Sequence, residues 1–240
     1  MPKGRFGVLF FAKWKNIMDT QIIDSWRKNT APWVAAVRNA EIESRNLVTN
    51  QAIVDAVRSL APASGLDIGC GEGWLVRTLD GVSMTGVDVV LGLVEAARRA
   101  GGGIFEVMSY EEIAHGCLDL AVDVAICNFS LIGEESVAGL FRAAPTYLKP
   151  GGTLVVQTMH PLMACGDAPY ADGWREGSWA GFNAGFTDPP PWYFRTLSSW
   201  IRLFSENGLQ LRELREPLHP NTGKPASLIL MGSLSASARA

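Results

Sequence analysis

The amino-acid sequence predicts an α/β fold: a doubly wound, mostly parallel sheet closed at one edge by an antiparallel pair. Three observations predict it. From residue 41 onward, short apolar runs alternate with helical stretches, the pattern of strands covered by helices on both faces. A run of three alternating glycines joins the first strand to the next helix. The last two strands, about 209–216 and 227–234, are separated by a Pro/Gly-rich loop too short to carry a helix. Composition agrees. Of 240 residues, 48% are hydrophobic and 19% charged. That excludes a disordered chain, a collagen-like chain and a disulfide-stapled miniprotein. The net charge of −3 argues against a broad nucleic-acid or anionic-membrane footprint.

The elements follow in order. Residues 1–40 read as an N-terminal extension and lid helix. The apolar stretch Phe6–Ala12 is too short, and too closely followed by Lys13 and Lys15, for a signal peptide. Met18 begins a more ordinary N-terminus, so the first 17 residues read as an extension or an upstream start. Over 41–60, Leu47, Ile53, Val54, Val57 and Leu60 recur at helical spacing, and residues 61–65 stop that helix. Leu66–Ile68 is a first strand, with a helix from about Trp74; Met84–Val87 is a second, with a helix over 91–100. Ile104–Met108 is a third strand. Val122–Cys127, continuously apolar, is a fourth, covered on both faces. A helix over 134–148 and the turn 149–152 lead to a fifth strand, Thr153–Met159. Residues 161–194 change texture, with Trp174, Trp179, Phe182, Phe186, Trp192, Tyr193 and Phe194 among glycines and prolines. A helix over 196–207 precedes the final pair. Residues 41–234 thus read as one domain with an aromatic substrate-lid insertion at about 161–194, and 235–240 as a disordered tail. The four cysteines form no CxxC pair and read as reduced thiols of a cytoplasmic protein, with no metal site.

The run Leu66-Asp67-Ile68-Gly69-Cys70-Gly71-Glu72-Gly73-Trp74 carries the chemistry. Glycine permits a tight turn at positive φ and lets backbone approach a ligand at the carboxyl end of the first strand. Asp88 ends the second strand, where a carboxylate can hold ribose hydroxyls. Two cofactor classes fit. A dinucleotide fingerprint needs its third glycine at 74, where Trp stands. Asp67 suits a ligand with a cationic amine better than a pyrophosphate.

These segments resemble the class I S-adenosylmethionine (SAM)-dependent methyltransferases, over about 42–234. LDIGCGEG resembles the first motif, GVDVV the second, DVAICNFSL (123–131) the fourth-strand motif and LKPGGTLVV (148–156) the turn into the fifth strand. The likeness is to the small-molecule, quinone-biosynthesis-like branch. It implies a Rossmann-like seven-stranded mixed sheet in the order 3-2-1-4-5-7-6 with the last strand antiparallel. It implies SAM as cofactor, S-adenosylhomocysteine (SAH) as product, and in-line methyl transfer to a small apolar or aromatic acceptor. It implies a small-molecule partner and admits a homodimer; the net charge argues against nucleic acid, and no apolar run approaches the ~18 residues of a membrane span. Carried over by position, cofactor contacts fall to Asp67, Gly69, Cys70, Gly71, Gly73, Asp88, Val89, Met108, Ser109, Tyr110, Asn128, Phe129 and Ser130. The family often has an acidic residue after the third strand. Here Met108-Ser109-Tyr110-Glu111 stands instead, so Ser109 or backbone is expected at the adenine edge, with Tyr110 or Met108 on its face. Two other readings keep the same loop: a SAM-binding sensor or subunit without catalysis, and an NAD-dependent oxidoreductase.

The acceptor half is less written. His160 closes the fifth strand and is the candidate general base. Trp33, Arg38 and Arg45 precede the first strand, where an Arg can meet the SAM carboxylate or an acidic substrate. Trp174, Trp192 and Tyr193 are the candidate lid contacts. Asp188-Pro189-Pro190-Pro191-Trp192 resembles an amino-methyltransferase motif but lies about sixty residues past the fourth strand, so it reads as loop.

Overall fold

A computed structural model describes residues 5–236, with side chains from residue 17. Expectations for residues 1–4 and 237–240 lie outside the described residues. Two helices come first, α1 (Arg5–Lys28) and α2 (Thr30–Arg38). A π-helical turn, Arg45–Thr49, runs directly into α3 (Asn50–Arg58). Then follow β1 (Ser64–Ile68), α4 (Trp74–Thr78), β2 (Ser83–Asp88), α5 (Leu91–Ala100) and β3 (Ile104–Val107). The chain continues through α6 (Tyr110–Ala114), β4 (Val122–Asn128), α7 (Glu135–Arg142), α8 (Ala144–Tyr147) and β5 (Leu148–Thr158). It closes with α9 (Pro161–Ala164), β6 (Gly173–Arg175), β7 (Trp192–Phe194), α10 (Leu197–Glu206), β8 (Leu209–Arg215) and β9 (Leu228–Leu234).

Seven strands form one sheet in the order β3-β2-β1-β4-β5-β9-β8. The first five pair in parallel, and β9 is antiparallel to both neighbours. This is the expected order; the last two numbers rise because β6 and β7 form a separate two-stranded ribbon. Both faces of the central strands are buried, as their unbroken apolar runs require. Ala125, Cys127, Leu154 and Val156 pack against α7, α8 and α10. Val124, Ile126 and Val155 pack against α3, α4 and α5. Each fully buried Leu or Ile contributes about 1.5–3 kcal/mol, so the sheet centre is the rigid part of the molecule. Phe141 of α7 meets Phe204 of α10 edge to face at 5.0 Å.

Three local differences have simple causes. The helix expected over 134–148 divides into α7 and α8, because Pro145 has no N–H for the preceding turn. The fifth strand starts at Leu148, which already pairs with Val122, so the Lys-Pro-Gly-Gly turn lies within it. The short α6 opens with a capping box, Ser109 and Glu112 each bonding the other's backbone N–H. At the opposite end of the sheet, Asp123 takes bonds from Ser64 N–H (2.8 Å), Ser64 Oγ (2.8 Å) and Lys149 Nζ (2.9 Å). That knot ties β1, β4 and β5 together at their amino ends.

Candidate functional site

The glycine loop between β1 and α4 lies at the carboxyl edge of the sheet, with Gly69, Gly71 and Gly73 all at positive φ (77°, 58° and 83°). At Gly73 a Cβ would sit 2.6 Å from the Phe105 ring, and at Gly69 it would collide with the side chain of Ser130. Backbone fixes the loop: Gly69 and Cys70 N–H donate to Val87 O at 2.8 and 3.0 Å. Asp88 completes it, accepting from Gly71 N–H and Val90 N–H, each at 2.9 Å. Burial raises its pKa, and the bonds from Val90, Gly71 and Val89 pull it back down. Each Asp88 oxygen keeps a lone pair for a further donor. Glu72, within the loop and buried, accepts from Arg77 Nη2 on both oxygens (2.7 and 2.8 Å) and from Arg38 Nε (2.9 Å). Arg38 also donates to Ala96 O, so its guanidinium clamps α2 onto the loop and α5. This Glu72 hub was not anticipated from sequence; an acid inside the glycine run, five residues before an Arg, was its only signal.

Two charged groups beside the loop have unmet hydrogen-bonding capacity, buried Asp67 and half-buried Arg45. Asp67 accepts no hydrogen bond from the described residues. Burial first, then the neighbouring Asp88, push its pKa up to about 7, with Arg45 opposing. Arg45 begins the π-helical turn, where Nε bonds Asn50 Oδ1 at 3.2 Å. Its guanidinium lies 4.8 Å from the Trp74 ring and 5.5 Å from the Trp33 ring. Its Nη2 is buried with no acceptor. Burial pulls its pKa down to about 10, with Glu72 and Asp67 opposing.

The expected cofactor contacts after β3 and β4 are tightly held. Ser109 has its hydroxyl committed to the capping box. Tyr110 Oη donates to Ser130 O (3.0 Å), and Ser130 Oγ donates to Ile68 O (2.7 Å). Phe129 sits at φ 54°, a left-handed conformation that costs a non-glycine residue about 1 kcal/mol. Asn128 Oδ1 is buried without a partner. Met108 and Val89 are half-buried at the ends of β3 and β2. Cys70 is buried, and that burial raises its thiol pKa.

The aromatic insertion is two clusters rather than one. Trp179, Phe182 and Phe186 pack with Trp26 and Trp33 of α1 and α2, over the glycine loop. Buried Asn29, between those helices, locks this cluster. Its Nδ2 donates to Thr187 O (2.7 Å) and its Oδ1 accepts from Thr187 N–H (2.9 Å). The tri-proline run is indeed loop: Asp188 pairs with Lys28 at 2.7 Å and accepts from Ser25 Oγ. The second cluster is the ribbon, with Trp174 against Tyr193 (5.5 Å). Trp192 and Tyr193 line a crevice with Leu131, Ile132, Met159 and Arg195, beyond the ends of β4 and β5; Trp174 does not. His160 is buried beside it. Its Nε2 bonds Glu216 Oε1 at 2.7 Å, and its Nδ1 has no partner. Glu216 and Arg195 were not anticipated; their roles depend on where distant loops land.

Taken together, a buried carboxylate without a hydrogen bond, a guanidinium with one buried nitrogen left open and an aspartate with free lone pairs surround a glycine cradle. Such a set fits a ligand with an α-amino-acid end and a ribose.

A family described as a methyltransferase domain matches residues 45–214. Among curated proteins, the chain is 30% identical over 120 residues to a ubiquinone biosynthesis O-methyltransferase of Ralstonia nicotianae, covering 46% of this chain and 50% of that one. A protein of the same description from Burkholderia ambifaria is 32% identical over 116 residues, covering 45% and 49%. The chain thus spans about half the length of the curated relatives it matches. Among solved structures, a SAM-dependent methyltransferase from Mesorhizobium loti superposes with a TM-score of 0.56 at 23% identity, covering 75% of this chain and 96% of that one. A magnesium protoporphyrin IX methyltransferase from Synechocystis with bound SAH gives 0.62 at 15% identity, covering 90% and 99%. At these identities the structural likeness concerns the fold.

Proposed function

Because the chain belongs to the methyltransferase domain family, we propose that it is a SAM-dependent methyltransferase acting on a small apolar or aromatic acceptor by in-line displacement. The observation that carries the reading is the unmet hydrogen-bonding capacity beside the glycine loop, the buried Asp67 carboxylate and Arg45 Nη2. When bound, SAM supplies an electrophilic methyl group whose displacement leaves a neutral thioether. Asp67 takes the ammonium and Arg45 Nη2 the carboxylate. Asp88 takes the ribose hydroxyls on its remaining lone pairs, and Met108 and Tyr110 flank the adenine. Asn128, Phe129 and Ser130 border the cofactor and the acceptor.

With a good leaving group, most of the acceleration comes from holding the reactants in attack geometry, and the two aromatic clusters keep water out. A hydroxyl acceptor needs a base. His160 has Nε2 held by Glu216, so it takes the proton on Nδ1, and Glu216 stabilises the imidazolium. A His160→Ala protein with unchanged turnover on a hydroxyl acceptor would remove this step. The curated relatives' printed names favour an oxygen acceptor. No described helix is long and apolar enough to cross a membrane, and the reading includes a cytoplasmic location.

Calorimetry with SAM and SAH tests the reading. Both should bind in the micromolar range, lose binding on Asp88→Ala, and weaken about 10–100-fold on Arg45→Met, the worth of a charged hydrogen bond. Absence of binding by either would overturn it. A methyl-transfer screen over phenols, quinone precursors and carboxylates then seeks the acceptor.

A further inference from the structure

We infer that Asn128 and Gln157 form a cation-selective subsite for the methyl end of the cofactor, favouring the sulfonium of SAM over the neutral thioether of SAH. The inference rests on the proposed methyltransferase reading and adds to it two residues that set specificity. Asn128 ends β4, and Gln157 lies opposite it on β5, in register. Side chains alternate between the two faces of a strand, and in-register neighbours are about 4.8 Å apart. Asp67 of β1, Asn128 and Gln157 therefore share the face whose core holds Val124, Ile126 and Val155. Gln157 is only 1% exposed. Its Nε2 donates to Oγ of buried Ser227 at 2.9 Å, which leaves Oε1 as the open end of the amide. Gln157 Oε1 and Asn128 Oδ1 are both buried, and neither accepts a hydrogen bond from the described residues. Phe129, at its left-handed φ of 54°, donates its N–H to Gln157 O at 2.8 Å and so holds the end of β4 against β5.

A buried acceptor without a donor costs the desolvation of that atom. Two such oxygens side by side concentrate negative partial charge, which is complementary to a cation. Their place selects the cation. In the order β2-β1-β4-β5, Asp88 ends β2 and Asp67 lies on β1. With the ribose on Asp88 and the amino-acid end on Asp67 and Arg45, the carboxyl ends of β4 and β5 are left for the methyl group and the acceptor. A sulfonium polarises its methyl C–H bonds, and polarised C–H groups donate to oxygen. SAH has neither the charge nor the methyl.

The test is calorimetry on the full chain with SAM, SAH and sinefungin, in which C–NH3+ replaces the methyl-bearing sulfur. Asn128→Leu and Gln157→Met should each weaken SAM and sinefungin about 5–10-fold, while SAH changes by less than about twofold. Asn128→Asp and Gln157→Glu, which keep an acceptor oxygen, should retain the preference for the cations. Ligand-free Asn128→Leu should unfold in urea at a midpoint no lower than wild type, because it loses an acceptor that no protein donor satisfies. Unchanged cation-to-SAH ratios in both apolar variants would overturn the inference alone. So would equal losses for all three ligands with a lowered urea midpoint, the mark of a structural pair. Failure of the wild-type chain to bind either SAM or SAH would bring down the methyltransferase reading, and this inference with it. If Asn128→Leu does not fold, Gln157→Met and the two acidic variants give the same ratios.

Discussion

Asp67 is the residue whose charge depends most on whether the site is filled. Its folded pKa, about 7, lies above the ordinary 3.8 because burial and Asp88 disfavour the anion. Between those two values the folded chain binds more protons than the unfolded one, so this residue's contribution to stability falls as pH rises through that window. An ammonium set against the carboxylate reverses the balance and expels the proton. SAH binding at pH 6 should therefore release close to one proton, measured from the dependence of binding heat on buffer ionisation enthalpy. The release should shrink at pH 8 and vanish in Asp67→Asn. At this scale the sequence is informative about identity. Asp67 and the three glycines fall within one short motif and Asp88 ends the next strand, and that spacing suggests a cofactor cradle. The charge state is not legible there, because it follows from burial and from an arginine 22 residues upstream.

The junction of α2, the glycine loop and α4 depends on Glu72. Removing one partner of a buried pair costs about 3–5 kcal/mol when it strands a charge, but Glu72 has two arginines. Arg38→Met should cost about 1 kcal/mol, since Arg77 still holds the carboxylate. Arg77→Met should cost more, and the double variant should exceed the sum of the singles. Urea unfolding at constant slope checks this; strict additivity would mean that the three groups do not act as a unit. At the other end of the sheet, Lys149 and Ser64 hold Asp123 down to about 2. A depressed acid stabilises above its ordinary value of 3.8, and that stability is lost as pH falls through 2. Lys149→Met should raise the midpoint of acid unfolding, followed by circular dichroism; an unmoved midpoint would show that solvent screens the pair.

Across the whole molecule, the cover of the site is built from two segments far apart in the chain. Asn29 bonds Thr187 through both ends of its amide, so α1, α2 and the first aromatic cluster are joined. Asn29→Ala strands both groups of Thr187, and each hydrogen bond is worth about 1 kcal/mol net. It should cost about 2–3 kcal/mol, speed proteolysis within 176–188 and weaken SAH binding, with the sheet unchanged by circular dichroism. Unaltered cleavage would mean that the aromatic rings alone hold the cover.

The coverage of both faces, the antiparallel edge and the position of the glycine loop follow from patterns within a few residues, whereas the strand order is what the family resemblance implies. Alternating apolar runs, glycines at a strand end and a loop too short for a helix constrain the backbone wherever they occur. Ser109-Tyr110-Glu111-Glu112 also carries a local capping signal, although from sequence Ser109 is expected as an adenine contact and no helix is expected there. The division of the aromatic insertion into two clusters, the hub at Glu72, and the open atoms of Arg45, His160 and Arg195 are different in kind. Each depends on side chains brought together from separate elements, as Asn29 and Thr187 are. Which of those side chains ends up buried, and which buried atom lacks a partner, is decided by packing after the sheet has formed. Local patterns therefore determined the elements and the place of the glycine loop, and the tertiary structure alone decided which distant side chains cover that loop and which of their atoms stay open.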